Sequence, residues 1–70
     1  MVEIYGGHMS QFFERSGLTG ICTYSNTDKY GVVREVWEIS ESDLETMDKM
    51  SEEEFSAIAG DSAWWRYSDG

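Results

Sequence analysis

Runs of alternating apolar and polar residues occupy the middle of the chain, and residues at helical spacing follow them. From Leu18 to Ser25 the β-branched and aromatic residues Thr19, Ile21, Thr23 and Tyr24 recur, and Tyr30 to Ile39 continue in the same style through Val32, Val33, Val36 and Trp37. Such side chains suit a pleated, half-buried surface because they pack well across neighbouring strands. Asn26-Thr27-Asp28-Lys29 supplies turn-forming residues between the two runs. An antiparallel β-hairpin is therefore expected, with Gly31 at a bulge or close to the loop. The two-residue period of a strand puts Val33, Glu35, Trp37 and Ile39 on one face of its second arm, and Val32, Arg34, Val36 and Glu38 on the other. Val33, Trp37 and Ile39 are the expected core residues, with Val36 partly covered on the reverse side.

On either side of the hairpin the punctuation changes. Met1 to Tyr5 reads as a short strand or packed tail that Gly6-Gly7 ends. Ser10 to Ser16 reads as a short helix, with Ser10 as N-cap and Gly17 at the position that favours a left-handed cap. Beyond the hairpin, Ser42-Asp43-Leu44-Glu45 and Ser51-Glu52-Glu53-Glu54 each place a serine three residues ahead of a glutamate. In this capping-box spacing each side chain satisfies a backbone donor that the first helical turn leaves bare. Two helices are predicted, Asp43 to Met50 and Glu52 to Ala59, the second stopped by Gly60; Leu44 with Met47, and Phe55 with Ile58, form their inward stripes. Asp61-Ser62 caps one last expected turn carrying Trp64, Trp65 and Tyr67. The fold class that follows is α+β: a small antiparallel sheet, made of the hairpin and optionally a third N-terminal strand, with short helices packed on one face.

Length and composition narrow this picture. Seventy residues support one domain with a thin core, which 40% apolar and 14% aromatic residues are sufficient to build. Cys22 is the only cysteine, so no intramolecular disulfide staples the chain, and a reducing, cytoplasmic setting fits best. The N-terminus lacks the basic start and apolar run of a secretion signal, and no stretch is apolar enough to cross a bilayer.

Charge changes the picture most. Fourteen acids oppose five bases for a net of −9, and nine of the acids lie between Glu38 and Asp61 with Lys49 as their only cation. That segment carries a net −8. Such a field repels nucleic acid and membranes and attracts basic protein surfaces within a Debye length of about 8 Å at physiological salt. Glu38, Glu41, Asp43, Glu45, Asp48, Glu52, Glu53 and Glu54 are accordingly the candidate partner-binding acids. Glu41, Glu45, Asp48 and Glu52 recur at spacings of four, three and four, which would align them as one negative stripe if the two helices were continuous. Trp64, Trp65 and Tyr67 form a second candidate site, because adjacent residues cannot both point inward and exposed Trp, Tyr and Arg are enriched in binding hot spots.

No pattern of catalytic or metal-binding residues accompanies the acids. Asp43 to Glu54 lacks the alternation and the glycine of a calcium loop, and no metal or cofactor is expected. His8, beside Gly6-Gly7, reads as a solvent-exposed residue, and Cys22, between Ile21 and Thr23, as a buried structural thiol. Without a third catalytic partner or an oxyanion motif, the expectation is a binding protein and not an enzyme.

In size, in its isolated negative charge and in its want of catalytic residues, the chain resembles the small acidic inhibitors that phages encode against bacterial defence, among them anti-CRISPR proteins and DNA mimics. The resemblance implies occupation of a basic nucleic-acid groove on a nuclease or defence effector, where carboxylates stand in for phosphates. The alternative is a small structural or assembly protein that homo-oligomerises through its hairpin and aromatic residues.

Overall fold

A computed structural model describes residues 1–67. Seven elements run along the chain: β1 (Val2–Gly7), α1 (Ser10–Ser16), β2 (Gly20–Thr27), β3 (Val33–Ile39), α2 (Glu41–Asp48), α3 (Glu52–Ala59) and β4 (Trp64–Tyr67). The strands form one antiparallel sheet in the order β2-β3-β1-β4, which with the helices makes an α+β domain.

The hairpin forms as expected, but its turn lies later. β2 continues through Asn26 and Thr27, and Asp28 organises the loop. Its backbone exchanges hydrogen bonds with Val32 and Gly31, and its Oδ1 accepts the N–H groups of Tyr30 (2.8 Å) and Val32 (3.0 Å). Gly31 takes φ 82° within that loop. The bulge lies instead in β2, between Cys22 and Tyr24, where the Thr23 hydroxyl donates to the Val36 carbonyl.

Two corrections concern the sheet. Gly6 and Gly7 do not end β1; they are its last two residues, in the middle of the sheet. They are glycines because neighbours crowd them. A Cβ on Gly6 would stand 2.8 Å from both Met9 Cγ and the Trp64 carbonyl oxygen, and one on Gly7 would run into the Trp64 indole and the Val33 carbonyl oxygen. The second correction is that Trp64, Trp65 and Tyr67 lie on a fourth strand, not on a helical turn. Strand pairing of Gly6 with Trp65 and Gly7 with Trp64 satisfies the main-chain edge of β1 that would otherwise stay bare.

All three helices contribute to one layer. Phe12, Ile4, Met9, Ile39 and Met47 are fully buried, with Phe13, Trp37 and Ala59 beside them, and Leu44, Phe55, Ile58 and Trp65 pack around this cluster. Phe12 meets Phe13 and Phe55 at 5.3 and 5.1 Å between ring centroids, and Phe13 lies 4.6 Å from Trp37. Val33 is only half-buried, so the core face of β3 rests on Trp37 and Ile39. Glu35 shares that face and is 9% exposed. Its Oε1 accepts the Met9 N–H and the Trp37 Nε1–H, both at 3.1 Å. Ser10 is the first residue of α1 and not its cap; Met9 holds the cap position without a side-chain cap bond, and the Glu35 carboxylate takes its N–H. Gly17 closes α1 in the left-handed conformation at φ 79°.

Candidate functional site

The two acidic helices are separate. α2 ends at Asp48, and Ser51 starts α3 by accepting the Glu54 N–H at 3.1 Å while its hydroxyl reaches Glu54 Oε1. The first helix begins two residues earlier than expected, because Ser40 and not Ser42 is its cap, accepting the Asp43 N–H at 3.2 Å. Three residues, Lys49 to Ser51, interrupt the helical path, so the stripe of Glu41, Glu45, Asp48 and Glu52 is not one helical row. Glu41, Glu45 and Asp48 keep the spacing on α2 and are exposed, while Glu52, Glu53 and Glu54 crowd the exposed first turn of α3. There the unsatisfied N–H groups favour negative charge.

Two of the expected acids stand apart. Asp43 is half-buried, and its Oδ2 accepts the Thr19 N–H at 3.4 Å. Glu38 lies on β3, where pairing with Glu3 and Ile21 sets it on the sheet and not among the helical acids. Among the described residues the only ion pair joins Arg34 to Asp28 at 3.9 Å, so none of the described cations pairs with a carboxylate of α2 or α3.

Between these helices and β4 the chain forms a cavity of about 420 Å³. Asp48, Ser51 and Glu52 supply its polar wall; Met47, Met50, Phe55 and Trp65 supply apolar surface, and Trp64 borders it. The fold thus unites two expected acids with two expected aromatic residues, although they are separated by more than ten positions in sequence. Tyr67 is exposed on β4 opposite Ile4 and does not line this cavity. A hollow with carboxylates on one side and an indole on the other suits a cationic side chain: carboxylates accept its N–H groups and the ring face attracts its charge.

The face of the sheet away from the helices holds a second cluster that the sequence reading did not assemble. Strand register places Tyr24, Val36, Tyr5 and Arg66 in one row across all four strands. The Arg66 guanidinium lies 6.0 Å from the Tyr5 ring centroid and 5.8 Å from that of Trp64. The signal was the two-residue period of Trp64 to Tyr67, hidden by reading that segment as a turn.

Cys22 is exposed, which corrects the expectation of a buried thiol: β2 is a sheet edge, and Phe13 of α1 lies against only its first residue, Gly20. His8 is exposed as expected and turns the chain from β1 into α1 at φ 56°. Among the described residues no three His, Cys, Asp or Glu are grouped to hold a metal ion, and no helix is long and apolar enough to cross a membrane. No protein-family model, curated protein or solved structure matches this chain.

Proposed function

We propose that this chain is an acidic binding protein that docks on the basic, nucleic-acid-binding surface of a partner protein, its carboxylates taking the place of phosphates. The observation that carries this reading is the cavity in which Asp48 and Glu52 stand beside Trp65. An arginine or lysine of the partner enters that cavity, its charge paired with the two carboxylates and its stem packed along Phe55 and the indole. Glu41 and Glu45 on α2 and Glu53 on α3 add exposed negative charge, which steers a basic surface into place and fixes its orientation. A nuclease or defence effector of the cytoplasm is the partner class, and blocking its groove is the action, without cofactor or chemical step.

Two helical segments in place of one continuous row shape what can be mimicked. Duplex nucleic acid offers one charge per about 1.7 Å of axis, a density a single short helix does not reach. The charge is instead divided between two short helices, α2 and the first turn of α3. It matches a localised group of basic side chains better than a long groove.

The test is binding to the nucleic-acid-binding protein recovered when the chain is used as bait in a cell lysate washed at rising salt. Replacing Glu45, Asp48 and Glu52 by lysine is expected to weaken that complex by about 100-fold or more with circular dichroism unchanged. Trp65→Ala is expected to weaken it by at least about tenfold. Retained affinity in the lysine variant sinks the reading.

A further inference from the structure

We infer that the sheet face turned away from the helices binds a single nucleotide, its phosphate taken by Arg34 and Arg66 and its base stacked on Tyr24.

A hollow of about 530 Å³ lies on this face, bordered by Tyr5, Tyr24, Asn26, Arg34, Trp64 and Arg66. That volume is in the range that encloses a small ligand. Alternation along the strands builds it. Tyr5 on β1, Arg34 on β3, and Trp64 and Arg66 on β4 point away from the helices, because Ile4, Glu35, Trp37 and Trp65 take the alternate positions and face the core. Gly7 completes the wall: without a Cβ it lets the Trp64 indole lie against the strand, where a side chain would collide with it.

Charge selects the sign of the ligand. The chain holds five cations against fourteen acids, yet two of the five border this hollow. Glu35 borders it as well, but its carboxylate is turned to the helical side of the sheet, where it accepts the Met9 N–H and the Trp37 indole N–H. Glu3 and Glu38 pair with each other two positions beyond Tyr5 and Val36, outside the hollow. Asp28 approaches Arg34 at 3.9 Å, but the Arg34 side chain is 68% exposed, and an exposed pair at that distance contributes little and yields to a closer anion.

The arginines and the rings select its class. Arg66 lies 6.0 Å from the Tyr5 ring centroid and 5.8 Å from that of Trp64, and stacking holds its planar fork while leaving the N–H edge for an oxygen ligand. Two such forks match a phosphate monoester, which carries about two negative charges at neutral pH, better than a carboxylate, which carries one. Tyr24 is exposed at the far end of the row, three strand spacings or about 14 Å from Arg66. That span suits a phosphate at one end and a base stacked on a ring at the other. Asn26 borders the hollow beside Tyr24 and offers the donor and acceptor that pair with N6 and N7 of adenine. A longer strand would run past the hollow into the field of Glu3 and Glu38, which limits the ligand to one nucleotide. The face lies opposite the helical acids, so this site stands apart from the docking reading above.

Calorimetric titration of the full chain with adenosine 5′-monophosphate, adenosine and inorganic phosphate, each alone, tests the site. The monophosphate is expected to bind with a dissociation constant below about 1 mM, and adenosine and phosphate each at least about tenfold more weakly. NMR shifts should change at Tyr24, Arg34, Trp64 and Arg66 and stay constant along α2. Arg34→Gln and Tyr24→Ala, at exposed positions outside the core, should each weaken binding by about tenfold or more with thermal unfolding unchanged. Arg66→Lys keeps the charge but loses the fork, and should weaken it by at least about threefold. No binding at about 5 mM monophosphate, phosphate binding as tightly as the nucleotide, full affinity in Arg34→Gln or Tyr24→Ala, or an oligonucleotide of about six residues binding more tightly than the monophosphate would each overturn the site. Should a variant unfold, the shifts in the unaltered chain decide alone.

Discussion

Glu35 is the residue on which the sequence pattern and the structure press hardest in opposite directions. A carboxylate on the core face of β3 is costly unless its oxygens are engaged, and here one oxygen accepts two donors that would otherwise be buried bare. Glu35→Ala is expected to lower stability by about 2–4 kcal/mol, because it strands the Met9 N–H and the Trp37 indole together. Glu35→Gln keeps an acceptor and should cost less than half as much; urea denaturation of both variants measures the difference. Such a loss is large for a chain whose whole stability is of the order of 5 kcal/mol. Gly6 and Gly7 are legible as glycines in the sequence, but their meaning depends on Met9, Val33 and Trp64 closing over them. Read locally, two glycines end a strand; read in space, they let strand, helix and indole approach.

At the scale of elements, caps carry the most information. The Ser51 hydroxyl accepts the Glu54 N–H as the spacing predicts, although the Glu54 carboxylate takes that hydroxyl in return and not the Ser51 N–H; the same spacing at Ser42 and Glu45 is a decoy for Ser40 two residues earlier. Ser40→Ala and Ser51→Ala should each cost about 1 kcal/mol, and Ser42→Ala only a few tenths, as thermal unfolding of the three variants would reveal. Ser42 is already the second residue of α2, and its hydroxyl lies 3.2 Å from that of Ser40. β4 is the element that local reading missed. Four residues are too few to establish a strand by alternation, and the partner that makes Trp64 to Tyr67 extend is β1, some sixty positions away.

For the whole molecule the governing quantity is charge without compensation. Glu41, Glu45 and Asp48 repel one another along α2, and no cation among the described residues pairs with them. Raising salt from about 20 to 200 mM should therefore raise the thermal midpoint by a few degrees, the reverse of what a molecule held by surface ion pairs would do. Charge reversal at Glu45, Asp48 and Glu52, which is expected to abolish docking, should leave stability unchanged or slightly higher. Such a surface costs stability, which the rest of the fold offsets.

Fold class, helix count beyond the hairpin, the C-terminal glycines of α1 and α3, and the burial of Trp37, Ile39 and Met47 follow from period, capping and composition along the chain, because each depends on neighbours within a few residues. The uncompensated acids are equally local, since charge is carried by residue type. Tertiary structure alone decided that β1 is central, that Trp64 to Tyr67 is a strand, that Cys22 is exposed, and that Glu35 takes the Met9 N–H. It also decided that Asp48 and Glu52 meet Trp65 while Asp43 and Glu38 turn elsewhere. Each of these depends on which distant segment supplies the second hydrogen-bonding edge or the covering face, and no pattern within either segment records the identity of its partner.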